Sequence, residues 1–373
     1  MDVKFWSADA HTGTVSGEIP VVGRASLGME IGGGTLSLEV PLAHLTLADG
    51  SPDLAACQRL LGMCAPGART IVAAVGETVL GEWLVMRRSR RFHDSTVTVT
   101  GVEWDAYPSQ RQIHTPRKMT GDLTGSLART LLLDLFDSMN NIAVTVPTTS
   151  AGRSVSIDER QRSGRYYSDA LRDLQDQSPG FEWRVGVTGS WADGTLEAVS
   201  RTVKFGVPVL KGGSAMTVVA PEVGSRAGAI LGLDVSEDFE RTASAVYVRG
   251  AGDGAKQIVG AHSDWAEQSR LGWVSRTRVY QYPDVTSQAA ADRMARMISD
   301  RSQSLWGASD VTLLLDRLPS MPVIGGTLNM IVPPSFVLPE GFTQSMRVGA
   351  LSLDVTAGRA DQVTVAAADE DEV

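Results

Sequence analysis

Cysteine, aromatic residues, positive charge and long apolar runs are all scarce in this chain. Two cysteines in 373 residues cannot build a disulfide framework, which sets aside the stapled scaffolds of small secreted domains. No apolar run approaches the roughly 20 residues of a membrane-spanning helix. The opening MDVKFWSADAHTG has no apolar segment flanked by basic residues, so the chain reads as soluble and unexported. Lys and Arg number 34 against 43 Asp and Glu, a net charge of -9. That is the wrong sign for general nucleic-acid affinity, which rests on displacing counterions from phosphates.

Signals for chemistry are equally thin. Cys57 and Cys64 lie in an apolar, helix-like stretch with no histidine or third cysteine nearby, the pattern of buried free thiols rather than a metal site. The five histidines, His11, His44, His93, His114 and His262, are scattered, and none has a second ligand at the spacing zinc sites use. There is no G-x-S-x-G elbow, H-E-x-x-H helix, Walker loop or EF-hand loop. The expectation is a protein that is not an enzyme, with no catalytic, cofactor-binding or metal-binding residue and no cofactor.

What is present is strand and helix periodicity. At 373 residues with 43% hydrophobic content the chain can fill two or three domains. RASLGMEI puts Ala25, Leu27, Met29 and Ile31 on one face, three glycines turn, and TLSLEVPL returns Leu36, Leu38 and Val40, which predicts a hairpin. A short helix in DLAACQRLLGMC and strands in RTIVAAV, GEWLVMRRSRRF and STVTVTGVEW follow. Residues 1–115 thus read as a small barrel or sandwich.

From Asp122 the pattern becomes helical: Leu123, Leu127, Leu131, Leu132, Leu135, Phe136 and Met139, closed by Asn140 and Asn141 and followed by the strand IAVTVP. The same order recurs in YYSDALRDLQDQSPGFEWRV. Tyr167, Ala170, Leu171 and Leu174 make a helical stripe with Ser168 as its cap. Pro179 and Gly180 stop the helix, and Phe181, Trp183, Val185 and Val187 then alternate as a strand, with Glu182 and Arg184 on its solvent face. Residues 116–205 are therefore expected to form one α+β domain of two helix-strand units. Strands dominate again over residues 206–373, interrupted by a helix in DVTSQAAADRMARMISDRSQSLW with Ala290, Met294, Met297, Ile298 and Leu305 on its stripe and Asp284 and Thr286 as caps. Residues 369–373, DEDEV, read as an acidic tail.

Three features invite a functional reading and have a structural one beside it. Gly250, Gly252 and Gly254 have the spacing of a dinucleotide loop, but the following AKQIVGA reads as a strand, so a hairpin turn is expected. Arg87, Arg88, Arg90 and Arg91 form the densest basic run, with Arg87 and Arg91 on one strand face and Arg88 and Arg90 on the other. Trp191, Trp265, Trp273 and Trp306 could serve a sugar site, yet aromatics make up 6% of the chain and packing is the plainer use, as for Trp183.

Four stretches carry a family resemblance: RASLGMEIGGGTLSLEVPL, TVTVTGVEWDAYPSQRQI, YYSDALRDLQDQSPGFEWRV, and AAADRMARMISDR with LPSMPVIGGTLNMIV. Together they resemble the minor tail proteins that form the tail-tip, or baseplate, hub of long-tailed (siphovirus-type) bacteriophages, particularly those of actinobacterial hosts. The resemblance implies an α+β, β-rich fold: two antiparallel β-barrel modules like the tail-tube subunit, with the α+β helix-strand domain between or beside them. The second barrel, 206–373, would carry an inserted segment at about 241–304 that joins the α+β domain, so that residues 206–240 pair with 305–368. It further implies a homotrimer whose pseudo-sixfold ring caps the tail tube and adapts it to threefold tip structures around a DNA ejection channel. Its partners would be the distal tail protein, tail tube, tape measure protein and central tip or fibre proteins, and its place the virion tail tip after synthesis in the host cytoplasm. No appended peptidase or glycosidase stretch is seen, so wall degradation is not expected. A carbohydrate- or receptor-binding tail protein and the distal-tail adaptor of the same tip are the competing readings.

Overall fold

The computed structural model describes the chain except residues 21–22, 91–94, 115–116, 138–140, 153, 160–163, 177–179, 214, 223–227, 238–241, 253, 265–271, 273, 283–284, 302–305, 337 and 369–373. Arg91, His93, Met139, Asn140, Pro179, Trp265, Trp273, Asp284, Leu305 and the acidic tail fall outside the described residues. The chain divides into a large unit, Met1–Gly232 with Val311–Glu372, and a small unit, Leu233–Asp310.

The large unit opens with β1 (Lys4–Asp9), β2 (Val15–Ile19), β3 (Arg24–Glu30), β4 (Thr35–Pro41), helix α1 (Leu54–Met63), β5 (Arg69–Val75), β6 (Thr78–Ser89) and β7 (Thr96–Glu103). After a 3-10 turn at Trp104–Gln110 come β8 (Arg117–Asp122), a π-type turn at Leu123–Ala128, α2 (Arg129–Phe136), β9 (Val144–Thr145), β10 (Ser154–Glu159), α3 (Tyr167–Gln175), β11 (Glu182–Ala192), β12 (Thr195–Gly206), β13 (Met216–Val219) and β14 (Ile230–Glu237). The small unit holds β15 (Ala245–Arg249), β16 (Val259–Ser263), β17 (Thr277–Gln281) and α4 (Gln288–Arg301). The chain returns through β18 (Trp306–Leu314), β19 (Thr327–Val332), β20 (Phe342–Thr356) and β21 (Gln362–Ala367).

The predicted hairpin forms as β3 and β4, with Ala25 opposite Leu38 and Leu27 opposite Leu36. Period-two burial on both strands leaves the intervening positions in water. A Cβ at Gly34 would lie 2.1 Å from the Gly28 carbonyl oxygen, so only glycine lets the hairpin close this tightly. One 13-stranded sheet runs in the order β14-β18-β21-β20-β3-β4-β7-β6-β5-β1-β2, with β19 on β20 and β13 on β19. Its N-terminal and C-terminal sets meet where β3 pairs with β20, Leu27 opposite Leu353. β13 and β14 pair with β19 and β18, strands that come later in the chain. The fold is α+β and β-rich.

The helix predicted from Asp122 is two pieces, the π-type turn and α2, whose stripe Leu123, Leu127, Leu131, Leu132, Leu135 and Phe136 is buried. Tyr167, Ala170, Leu171 and Leu174 of α3 complete the same core, which also takes in Trp104, Phe181, Trp183, Val185 and Val203. Ser168 is not the cap of α3. Tyr166 bridges Gln112 in extended backbone and α3 starts directly after it, with the Asp169 carboxylate accepting the Tyr166 N–H. β11 and β12 turn through Asp193 (φ 48°) and Gly194 (φ 73°), the positive pair that a type I′ hairpin turn requires.

In the small unit β15 pairs antiparallel with β16 and parallel with β17. Ala291 and Ala295 of α4 pack with Val246, Val248 and Val285, joined by Met294 and Ile298. Met297, placed on the stripe by its spacing, is 40% exposed instead, because the buried face is centred on Ala291 and Ala295. The helix begins later than expected, and Ser287 caps it through its hydroxyl, which accepts the Ala290 N–H.

Candidate functional site

The residues singled out in the sequence do not converge. Gly250 directly follows β15, a single 3-10 turn at Gly254–Lys256 comes next, and the chain returns as β16, so the glycine spacing serves a hairpin. His11, His44, His114 and His262 sit in separate loops and strands, and among the described residues no group of three His, Cys, Asp or Glu could hold a metal ion. Cys64 is buried, which pushes its thiol up to about 11, while Cys57 is half-buried. Trp191 stands edge-on to Trp6 at 6.2 Å, a packing contact.

The arginine run is reshaped by a bulge between Val85 and Arg87. The extra residue turns both Met86 and Arg87 outward, so the simple alternation of faces fails. Arg88 donates to the Leu61 carbonyl near the C-terminal end of α1, where a cation also suits the helix dipole.

Sequence reasoning missed a set of buried charges that joins the first β region to the helix-strand region within the large unit. Glu82 of β6 and Arg201 of β12 are paired with no exposure of either side chain, Nη2 to Oε1 at 2.7 Å and Nε to Oε2 at 2.8 Å. Arg201 also donates to the carbonyls of Ala10 (2.9 Å) and Asp9 (3.2 Å), and its guanidinium lies 4.8 Å from the Trp104 ring centre. The Thr70 hydroxyl and Trp104 indole N–H donate to the same Glu82 carboxylate at 2.6 and 3.1 Å. Every guanidinium nitrogen and both carboxylate oxygens are thus hydrogen-bonded, the condition under which burial of a charge pair is tolerated.

A second cluster lies alongside. Arg184 of β11 reaches Glu103 at 2.6 Å and Asp105 at 3.5 Å. The Glu103 carboxylate also accepts the Gly34 N–H, and Asp105 accepts the Val185 N–H. Two carboxylates thus share one arginine. Burial first, and then the Glu103 charge, push the Asp105 carboxyl well above the usual range despite Arg184 and the Val185 N–H. Glu182 pairs with Arg347 of β20 and accepts the Leu210 N–H at 2.8 Å. Glu182 and Arg184 are therefore not on a solvent face: ion pairs to Arg347 and Glu103 leave their side chains 18% and 17% exposed.

Chemically these groups hold position. The carboxylate oxygens of Glu82 are occupied by internal donors and sealed from water, so they are unavailable to a substrate. Asp122 illustrates the same use of carboxylates: burial raises its carboxyl, but the Gly125 N–H, Ser150 hydroxyl, Ala151 N–H and Thr124 N–H outweigh it and hold the group at about 2. One aspartate thereby closes the start of the π-type turn and the Ser150–Gly152 loop.

No family model matches the chain, and no curated protein matches it. Solved structures do. The 43 kDa tail protein of prophage MuSo2 from Shewanella oneidensis aligns over 99% of both chains with a TM-score of 0.57 and 12% identity. A tail protein from Neisseria meningitidis covers 99% of this chain and 97% of its own at 0.56 and 11% identity. The prophage tail protein gp18 from Listeria monocytogenes covers 99% and 95% at 0.51 and 10% identity. The chain shares the fold of these tail proteins over 99% of its length.

Proposed function

We propose that the chain is a structural subunit of a phage tail, the tail-tip or baseplate hub that caps the tube and adapts its sixfold symmetry to threefold tip structures. The observation that carries this reading is the likeness to three tail proteins, with 99% of this chain and 95% or more of each neighbour matched. Three copies, each supplying two tube-like β modules, 1–115 and 206–373, would make the pseudo-sixfold ring. The continuous sheet through β3 and β20 supports such a repeat. The helix-strand domain at 116–205 would brace each subunit, a role that suits its charge-stitched attachment to β6 and β7.

The outward face of β3, β4 and β20 supports the channel reading. It presents Ser26, Ser37, Glu39, Ser352 and Asp354, small hydroxyls and acids, beside the exposed cation Arg24 at the start of β3. The partners would be the distal tail protein, tail tube, tape measure protein and central tip proteins of a siphovirus-type virion infecting an actinobacterial host. Co-expression with the tube and distal tail proteins, followed by negative-stain imaging, tests the assignment. A threefold ring bound at the tube end is expected. A sixfold ring would make this chain the distal-tail adaptor, and a chain that binds neither partner would overturn the tail role.

A further inference from the structure

We draw no further inference here: the strongest candidate, the apolar face of the small unit's three-stranded sheet on which Tyr247, Val259 and Val279 are exposed, is an unpartnered surface, and nothing in the structure shows what covers it.

Discussion

The large and small units reach order by different means. In the large unit, buried tryptophans and buried ion pairs fix how strands and helices meet, with Glu82, Arg201 and Trp104 at the centre. In the small unit a three-stranded sheet is held by Val246, Val248, Ala291 and Ala295, with α4 pressed onto β16. The contrast teaches that directional contacts specify the larger sheet's attachment, while close approach of small residues specifies the other. At Gly260 a Cβ would lie 2.2 Å from the backbone of Ala291.

The largest effect is expected where the first mechanism is broken. Arg201→Met leaves Glu82 buried without its counter-charge and should cost about 3–5 kcal/mol in urea unfolding. Adding Glu82→Gln, whose amide oxygen can accept the Trp104 N–H while its NH2 donates to the Thr70 hydroxyl, should restore at least half of that. A double variant no better than the single would show that the pair is not the source of the loss. Breaking the second mechanism should cost less and act locally. Gly260→Ala forces α4 off the sheet for about 1–3 kcal/mol, and hydrogen exchange should lose protection in β15–β17 while β6 and β7 keep theirs.

Proton linkage sharpens the comparison within the large unit. The Asp105 carboxyl is raised in the folded chain, so between about pH 4 and its folded value the native state holds the extra proton. Stability therefore falls as pH rises through that window, by at most about 1.4 kcal/mol per pH unit. Asp105→Asn should flatten this slope and be relatively more stable at pH 8 than at pH 5, measured by thermal unfolding. Asp122 has the opposite sign, since its carboxyl is held at about 2. Its contribution is present at neutral pH and lost on acidification, and Asp122→Ala should cost about 1 kcal/mol at pH 7. The smallest effect is expected from changing Arg87, Arg88, Arg90 and Arg91 together to Ser: retention on heparin should be slight before and after, whereas strong, salt-sensitive retention of the parent would reveal a phosphate surface.

Much of this architecture was legible from periodicity. The β3–β4 hairpin, the stripes of α2 and α3 and the β11–β12 turn follow from apolar spacing and turn chemistry. The charged joint was harder to see because a residue on a strand's polar face can be drawn into an ion pair with another element, as happened to Glu182 and Arg184. Yet it left a trace. Arg201 stands in phase with buried Val199 and Val203, and Glu103 with buried Val97 and Val99, so each is a charge on an apolar face. A partner is required at such a position, although spacing along the chain does not reveal that Arg201 meets Glu82. The displaced caps of α3 and α4 have local causes, a bridge at Tyr166 and the hydroxyl of Ser287.

The central claim is that this fold acts by assembling. Native mass spectrometry and light scattering across concentration, with negative-stain imaging of the largest species, test it most directly. The account predicts a trimeric ring with a central hole, alone or on addition of the tube and distal tail proteins. A monomer at every concentration that binds neither protein would contradict it.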